Sequence, residues 1–295
     1  MKILITGHKG FVGRYFIKKY SKDHEITGID ILDGNDVRDF FRNNRDYFDV
    51  VIHLAAVVGG RATIEGSPIS VAVDLAIDSE MFSWALRTNP GHIIYFSSSA
   101  AYPIKYQRRG SNTFLSESMI DLDDICSPDL TYGWAKLTGE YLAKFVSDKG
   151  LNISIFRPFS GYGTDQDLSY PFPSFIKRAI EKKDPFEIWG DGTQTRDFIH
   201  IIDIVEAVDV CITNKIFGTY NLGSGIPISF NDLAKLIIHE VKITTDPLYS
   251  PQILHKTAAP TGVFHRVCDP SKMNSFYKTK ISLNDGIRNA LGYTL

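Results

Sequence analysis

The first thirteen residues constrain this chain more than any other stretch of it. Lys2-Ile3-Leu4-Ile5-Thr6 reads as a short strand with an apolar centre that leads straight into Gly7-His8-Lys9-Gly10-Phe11-Val12-Gly13 and then into a helical pattern. A continuous apolar strand is one buried on both faces, and three glycines spaced by three between strand and helix open a dinucleotide-binding unit. In that reading Gly7 permits the tight turn, Gly10 lets the backbone approach a pyrophosphate, and Gly13 lets the helix lie close on the strand. The N–H groups at the helix start, at Phe11 and Val12, attract the phosphates. The next apolar run, from Glu25, ends in Asp30. That is close to the roughly 20-residue distance at which a carboxylate hydrogen-bonds the adenosine ribose. An acid there also repels a ribose phosphate, which favours NAD over NADP.

Further short apolar runs follow at Asp49 to Leu54, Gly91 to Ser97 and Asn152 to Arg157, with helical patterns between them. This alternation predicts an α/β fold, a doubly wound parallel (Rossmann) sheet with right-handed crossovers. Ligands gather at the carboxyl ends of such strands, which is where Gly7, Asp30, Ala55-Ala56 and Ser97-Ser98-Ser99 all fall. After Arg157-Pro158 the texture changes to turn-rich stretches such as Gly161 to Thr164 and Tyr170 to Pro173. We expect a dinucleotide-binding domain over 1–157, with returning segments near 196–222. A smaller, interleaved substrate lobe is expected over most of 158–295.

The chemistry is expected at Tyr132-Gly-Trp-Ala-Lys136. A Tyr and a Lys four apart share one helix face, so the ammonium can stand near the phenol and favour its phenolate. On an ordinary amphipathic helix this pair means nothing; downstream of a dinucleotide turn and a triple serine it is a proton-transfer device. The net charge of −2 gives no reason to expect nucleic acid or an anionic membrane as partner. The three cysteines, Cys126, Cys211 and Cys268, lack metal-ligand or disulfide spacing. No metal is expected, and with no run approaching the ~18 apolar residues of a membrane span, the expected location is the cytoplasm.

Taken together, these motifs resemble those of the extended short-chain dehydrogenase/reductases of the nucleotide-sugar epimerase/dehydratase type. The resemblance is carried by Thr6 to Gly13, Asp36 to Asp39, His53-Leu-Ala-Ala56, Ser97 to Tyr102, Tyr132 to Lys136, Arg157-Pro158 and Gly190 to His200. It implies that Asp36 and Val37 approach the adenine and that Leu54, Ala55 and Ala56 line the cofactor cleft. Arg196 and Arg266 would grip the diphosphate of a nucleotide-sugar substrate, a task that suits the planar guanidinium fork. Counting back from Tyr102-Pro103 makes Ser98 the active hydroxyl, with Ser99 as the alternative and as a substrate contact. Tyr132 would take a proton from a sugar hydroxyl while hydride passes to NAD, and Lys136 would serve both the phenol and the nicotinamide ribose.

Departures from the family pattern narrow the expectation. Dehydratases place an acid just after the active Ser or Thr, where this chain has Ser99 and Ala100. Enzymes that share the Gly-His-Lys-Gly lettering and Val58-Gly-Gly60 carry a cysteine at Ala100. Ser160 stands where many relatives have a substrate-binding Asn. What remains is hydride chemistry at one carbon: 4-epimerisation, with reduction of a 4-keto sugar as the alternative and a non-catalytic dinucleotide sensor as the third reading. Helices near Pro68 to Arg87 and Leu130 to Ser147 are expected to join two copies into a homodimer, and Trp134 to pack against a neighbouring helix.

Overall fold

The computed structural model describes residues 1–59 and 61–293, without the side chains of 61–63; Gly60 of the Val58-Gly-Gly60 motif therefore lies outside the described residues. Six strands form one wholly parallel sheet: β1 (Lys2–Thr6), β2 (Glu25–Ile29), β3 (Val50–His53), β4 (Ile93–Phe96), β6 (Ile153–Pro158) and β10 (Gly218–Leu222). Their order across the sheet is β10-β6-β4-β3-β1-β2. The chain winds outward from β1 to β2, then returns to β3 on the other side of β1. That reversal makes the crevice above β1 and β3 the switch point where ligands bind in open α/β sheets.

Helices cover both faces, which is why the strands read as unbroken apolar runs. Alternate residues of β1 point opposite ways. Ile3 and Ile5 join a core with Phe16, Phe96, Phe156 and Val205, while Leu4 joins another with Phe41, Met81, Trp84 and Tyr95. The first core lies under α1 (Phe11–Tyr20) and α7 (Ile201–Thr213); the second lies under α2 (Val37–Asn43), α4 (Pro68–Thr88) and α5 (Leu130–Asp148). A short helix, α3 (Arg61–Gly66), precedes α4.

The second half, joined by the short strand Phe114–Leu115 from within the 1–157 stretch expected to serve the dinucleotide domain alone, builds a smaller layer over the carboxyl ends of the large sheet. Strands β5 (Phe114–Leu115), β9 (Thr195–His200), β11 (Pro227–Ser229) and β13 (His265–Cys268) pair in the order β11-β9-β13-β5, with β7 (Ser160–Tyr162) also on β9. A separate pair joins β8 (Phe186–Trp189) to β12 (Ile253–Lys256). A third core of Phe172, Phe175, Phe186, Ile188, Leu233 and Ile237 sits under α6 (Pro171–Ile180) and α8 (Phe230–Thr244). The remaining helices are α9 (Ser271–Asn274) and α10 (Leu283–Ala290). Within the segment near 196–222, β9 stays in the small sheet, whereas α7 and β10 rejoin the large one. Among the described residues no helix is long and apolar enough to cross a membrane.

Candidate active site

The glycine turn fixes where a cofactor can lie. Gly7 has φ +69°, in the left-handed region, and its N–H bonds the Ile29 carbonyl at 2.8 Å. A Cβ on Gly7 would stand 2.9 Å from both Ala55 N and Leu54 C, so the turn rides directly on the segment leaving β3. A Cβ on Gly13 would come within 2.6 Å of His8 Cα. Helix α1 begins at Phe11 behind Gly10, which supplies no side-chain cap, so its first N–H groups face the crevice with the positive end of the helix. Bare backbone, a helix N-terminus and a position at the switch point together fit a dinucleotide pyrophosphate.

At the next strand end, Asp30 is buried and its two oxygens accept from Lys9 N (2.8 Å) and Leu32 N (2.9 Å). The acid thus ties the glycine turn to the loop after β2. Asp36 caps α2, and its hydrogen bonds from Arg38 hold the carboxyl below the usual carboxylate range. Val37 is buried in the core, while Leu54, Ala55 and Ala56 are half-buried along the crevice edge.

The triple serine divides its labour. Ser97 is buried and donates to Glu140 of α5. Ser98 starts a 3-10 turn over Ser99–Ala101, accepts from Ala100 N at 3.1 Å, and lies close enough to Tyr132 for its hydroxyl to lower the proton affinity of that phenol. Ser99 is buried within the turn. The arrangement brings Ser98, not Ser99, to Tyr132. What permits it is Gly133: a Cβ there would collide with the Ala100 carbonyl, and the Asp129 N–H bonds that same carbonyl at 2.9 Å. Leu130, at the first position of α5, has φ +55°, a conformation that costs a side-chain-bearing residue about 1–3 kcal/mol and is tolerated where the surroundings impose it.

Lys136 is buried one turn beyond Tyr132, with Nζ 5.9 Å from the Tyr132 ring centre and 5.4 Å from that of Tyr95. The expected depression of the phenol by Lys136 is not what the structure gives. Burial pushes the Tyr132 hydroxyl well above its ordinary value, the Asp74 and Asp78 charges push the same way, and the Ser98 hydroxyl opposes them. The ammonium acts instead on two carboxylates of α4, Asp74 and Asp78. Asp78 belongs to a closed chain: Thr6 Oγ1 meets His53 Nδ1 at 2.9 Å, His53 Nε2 meets Asp78 Oδ1 at 3.2 Å, and Tyr95 OH donates to Asp78 Oδ2 at 2.5 Å. Burial raises the Asp78 carboxyl, but Lys136, His53 and Tyr95 outweigh it and leave it below the ordinary value. Helix α5 approaches this chain at Gly139, where a Cβ would overlap the Tyr95 hydroxyl and lie 2.5 Å from Asp78 Oδ2.

From the smaller lobe, Arg196 on β9 and Arg266 on β13 are register partners in parallel strands. Arg266 donates to Gln107 Oε1 (2.6 Å) and to Asp129 Oδ2 (2.7 Å), so it reaches the residue that opens α5. Arg196 donates to the carbonyls of Thr195 (2.8 Å) and Thr261 (3.3 Å) and lies over the Phe230 ring. Next to Thr261 is a cavity of about 320 Å³ lined by Arg109, Gly190, Asp191, Thr257 and Phe264, with the Arg109 guanidinium 4.2 Å from the Phe264 ring centre. Ser160 is half-buried on β7 opposite Phe198. Four residues that spacing did not single out belong with the cluster: Asp74, Asp78, Asp129 and Tyr170, the last close enough to Tyr132 for that phenol to raise its proton affinity. Asp74, Asp78 and Tyr170 come from elements remote in sequence, Asp129 opens α5 itself, and no motif announces any of them.

A doubly wound sheet with a glycine turn at its switch point defines the class, an NAD-dependent enzyme. The chain belongs to the NAD dependent epimerase/dehydratase family, whose model matches residues 3–223. It is 26% identical to the GDP-L-colitose synthase of Yersinia pseudotuberculosis, over 100% of this chain and 98% of that protein. It is 28% identical to an uncharacterized UDP-glucose epimerase of Bacillus subtilis, over 99% and 98%. Among solved structures, the UDP-glucuronic acid 4-epimerase from Bacillus cereus, in complex with UDP-glucuronic acid and NAD, superposes with a TM-score of 0.81 at 25% identity, covering 99% of this chain and 98% of that one.

Proposed function

We propose that this protein is an NAD-dependent nucleotide-sugar 4-epimerase, and the observation that carries the reading is the meeting of Ser98, Tyr132 and Lys136 beside the Gly7 turn. The residues that would hold NAD are Gly7, Gly10, Phe11, Val12 and Gly13 at the pyrophosphate, Asp30 at the adenosine ribose, Asp36 and Val37 by the adenine, Leu54, Ala55 and Ala56 along the cleft, and Tyr132 and Lys136 at the nicotinamide end. Bound there, NAD supplies a hydride acceptor that can return what it takes. In its phenolate form Tyr132 would accept the proton of the sugar hydroxyl, and Ser98 would donate a hydrogen bond to the same sugar oxygen, holding it in line. Lys136 stabilises charge on the phenol as the proton arrives and leaves. The keto sugar then presents its other face, and Tyr132 gives the proton back. Arg196 and Arg266 would hold the diphosphate, with Ser99 and Ser160 near the sugar. Likeness over nearly the whole chain to proteins named as UDP-glucose epimerases supports this assignment, and likeness to a dTDP-4-dehydro-6-deoxy-D-allose reductase favours 4-keto-sugar reduction as the second reading.

The test is incubation of the NAD-loaded protein with UDP-glucose or UDP-glucuronic acid, following product by NMR. We expect an isomer of unchanged mass with no net change in NAD. Tyr132→Phe should lower the rate by about 10²–10⁴-fold, the usual worth of a general acid–base group, while NAD stays bound. Stoichiometric NAD(P)H consumption with a keto sugar would instead favour the reductase. We further assign the protein to the cytoplasm as a homodimer, joined through α4 and α5.

A further inference from the structure

Asp74 stands apart from every other acid around the site. It is fully buried on α4, its Oδ1 accepts from Val57 N at 2.6 Å, and its Oδ2 has no hydrogen-bond partner. A buried carboxylate oxygen without a partner is costly, and evolution-neutral packing offers a simple alternative in any apolar side chain. Val57 lies one residue beyond Ala55-Ala56, so the bonded oxygen tethers the cleft wall, and the bare one is left beside the helix that carries Tyr132 and Lys136.

The neighbourhood holds more negative than positive charge. From α4 itself comes Asp78, from α5 Tyr132, Lys136 and Glu140, from β4 Tyr95, and from β3 His53. Glu140 is matched by Arg157 at 2.6 Å, and Asp78 by His53 and Tyr95. From α2, Arg42 reaches α4 only at Glu80, nearly two turns further on, and Glu65 of α3 is exposed. Among the described residues this leaves one ammonium, Lys136, shared by Asp74, Asp78 and any charge that forms on Tyr132. In a buried site such competition is strong, because little water screens it.

We propose that Asp74 is a positioning residue that, through Lys136, decides when Tyr132 gives up its proton. With Asp74 ionised, the ammonium is held toward α4 and the phenol binds its proton more tightly. With Asp74 neutral, the same ammonium is free to support negative charge on Tyr132, and the phenol releases its proton more readily. Burial first, then the Asp78 charge, raise the Asp74 carboxyl to about 6 against the pull of Lys136 and the Val57 N–H, so the change of state falls close to neutral pH. This inference rests on the role given to Tyr132 above and adds to it a control that lies outside the reacting atoms.

The experiment uses the NAD-loaded full chain and follows tyrosinate absorbance against pH, taking as the Tyr132 signal the part that Tyr132→Phe lacks. Asp74→Asn keeps an oxygen for Val57 N–H and removes only the charge. Its Tyr132 midpoint should fall by about one pH unit, the scale on which a nearby like charge acts, and with UDP-glucose as probe the rising limb of the pH–rate profile should move the same way. Asp74→Leu removes the charge without any amide and carries the same expectation for the midpoint, alongside weaker NAD binding from the lost tether. An unchanged midpoint in either folded variant overturns the proposal, since a purely structural Asp74 would alter stability alone. A lowered midpoint in a protein that turns over no nucleotide sugar would leave the proposal standing and reject the epimerase reading.

Discussion

The active pair is set by what two residues lack. Tyr132 can meet Ser98 because Gly133 offers no side chain to the Ala100 carbonyl, and the turn that presents Ser98 begins one residue before Ser99. Gly133→Ala should therefore push the start of α5 away from that turn. A displacement near 1 Å between reacting groups costs about 10²-fold in rate, so turnover should fall by that order while the NAD dissociation constant, measured by calorimetry, changes little. Equal losses in both would refute this placement of Gly133. Spacing alone made Tyr132, Lys136 and Gly7 legible in the sequence, because each depends on neighbours within one turn. It left Ser98 and Ser99 as alternatives, since only the 3-10 turn separates their directions. The same reasoning overestimated the hold of Lys136 on the phenol: the competing carboxylates Asp74 and Asp78 come from another helix and cannot be read from Tyr-x-x-x-Lys.

Among the elements, β4, α5 and β6 are tied together by one buried ion pair. Arg157 donates to Glu140 at 2.9 and 2.6 Å, Ser97 donates to the same carboxylate, and the other Arg157 nitrogen reaches Tyr102 OH (3.1 Å) and the Glu117 carbonyl (3.0 Å). Removing one charge from such a pair strands the other in a poorly solvated place, which typically costs about 3–5 kcal/mol. Glu140→Gln should lower unfolding free energy by roughly that amount in urea titration, and a loss under about 1 kcal/mol would mean that Arg157 finds other partners. The parallel strands and their flanking helices were legible because burial on both faces writes continuous apolar runs. The meaning of Arg157-Pro158 was not, since its partner lies on a helix 17 residues earlier and a sequence records no distance. Trp134, expected against a neighbouring helix, is instead 46% exposed.

At the scale of the whole molecule, that exposure joins a pattern. Leu75 and Leu86 on α4 and Trp134, Tyr141 and Phe145 on α5 are all exposed, and α4 packs against α5, so their apolar side chains lie on adjoining outer surfaces. Apolar patches of this kind mark contact surfaces. Light scattering at micromolar concentration should give twice the chain mass of 33.1 kDa, and Phe145→Glu should reduce it to one chain with the fold retained by circular dichroism. A single-chain mass for the unaltered protein would reject the homodimer. The division of labour between the layers was partly legible, since turn-rich texture marked the change after Pro158. The return of the chain to the large sheet was expected near 196–222, but that β9 stays outside while β10 pairs with β6 is a matter of long-range pairing that no local pattern records.

Gly139 carries a consequence for how the enzyme spends its binding interactions. With Gly133 flush on one loop and Gly139 flush on Tyr95, the helix between them is keyed at two heights and can neither slide nor roll. The proton-handling groups are consequently in register before a sugar arrives, and differences in affinity among sugars should originate in the outer layer that closes over them.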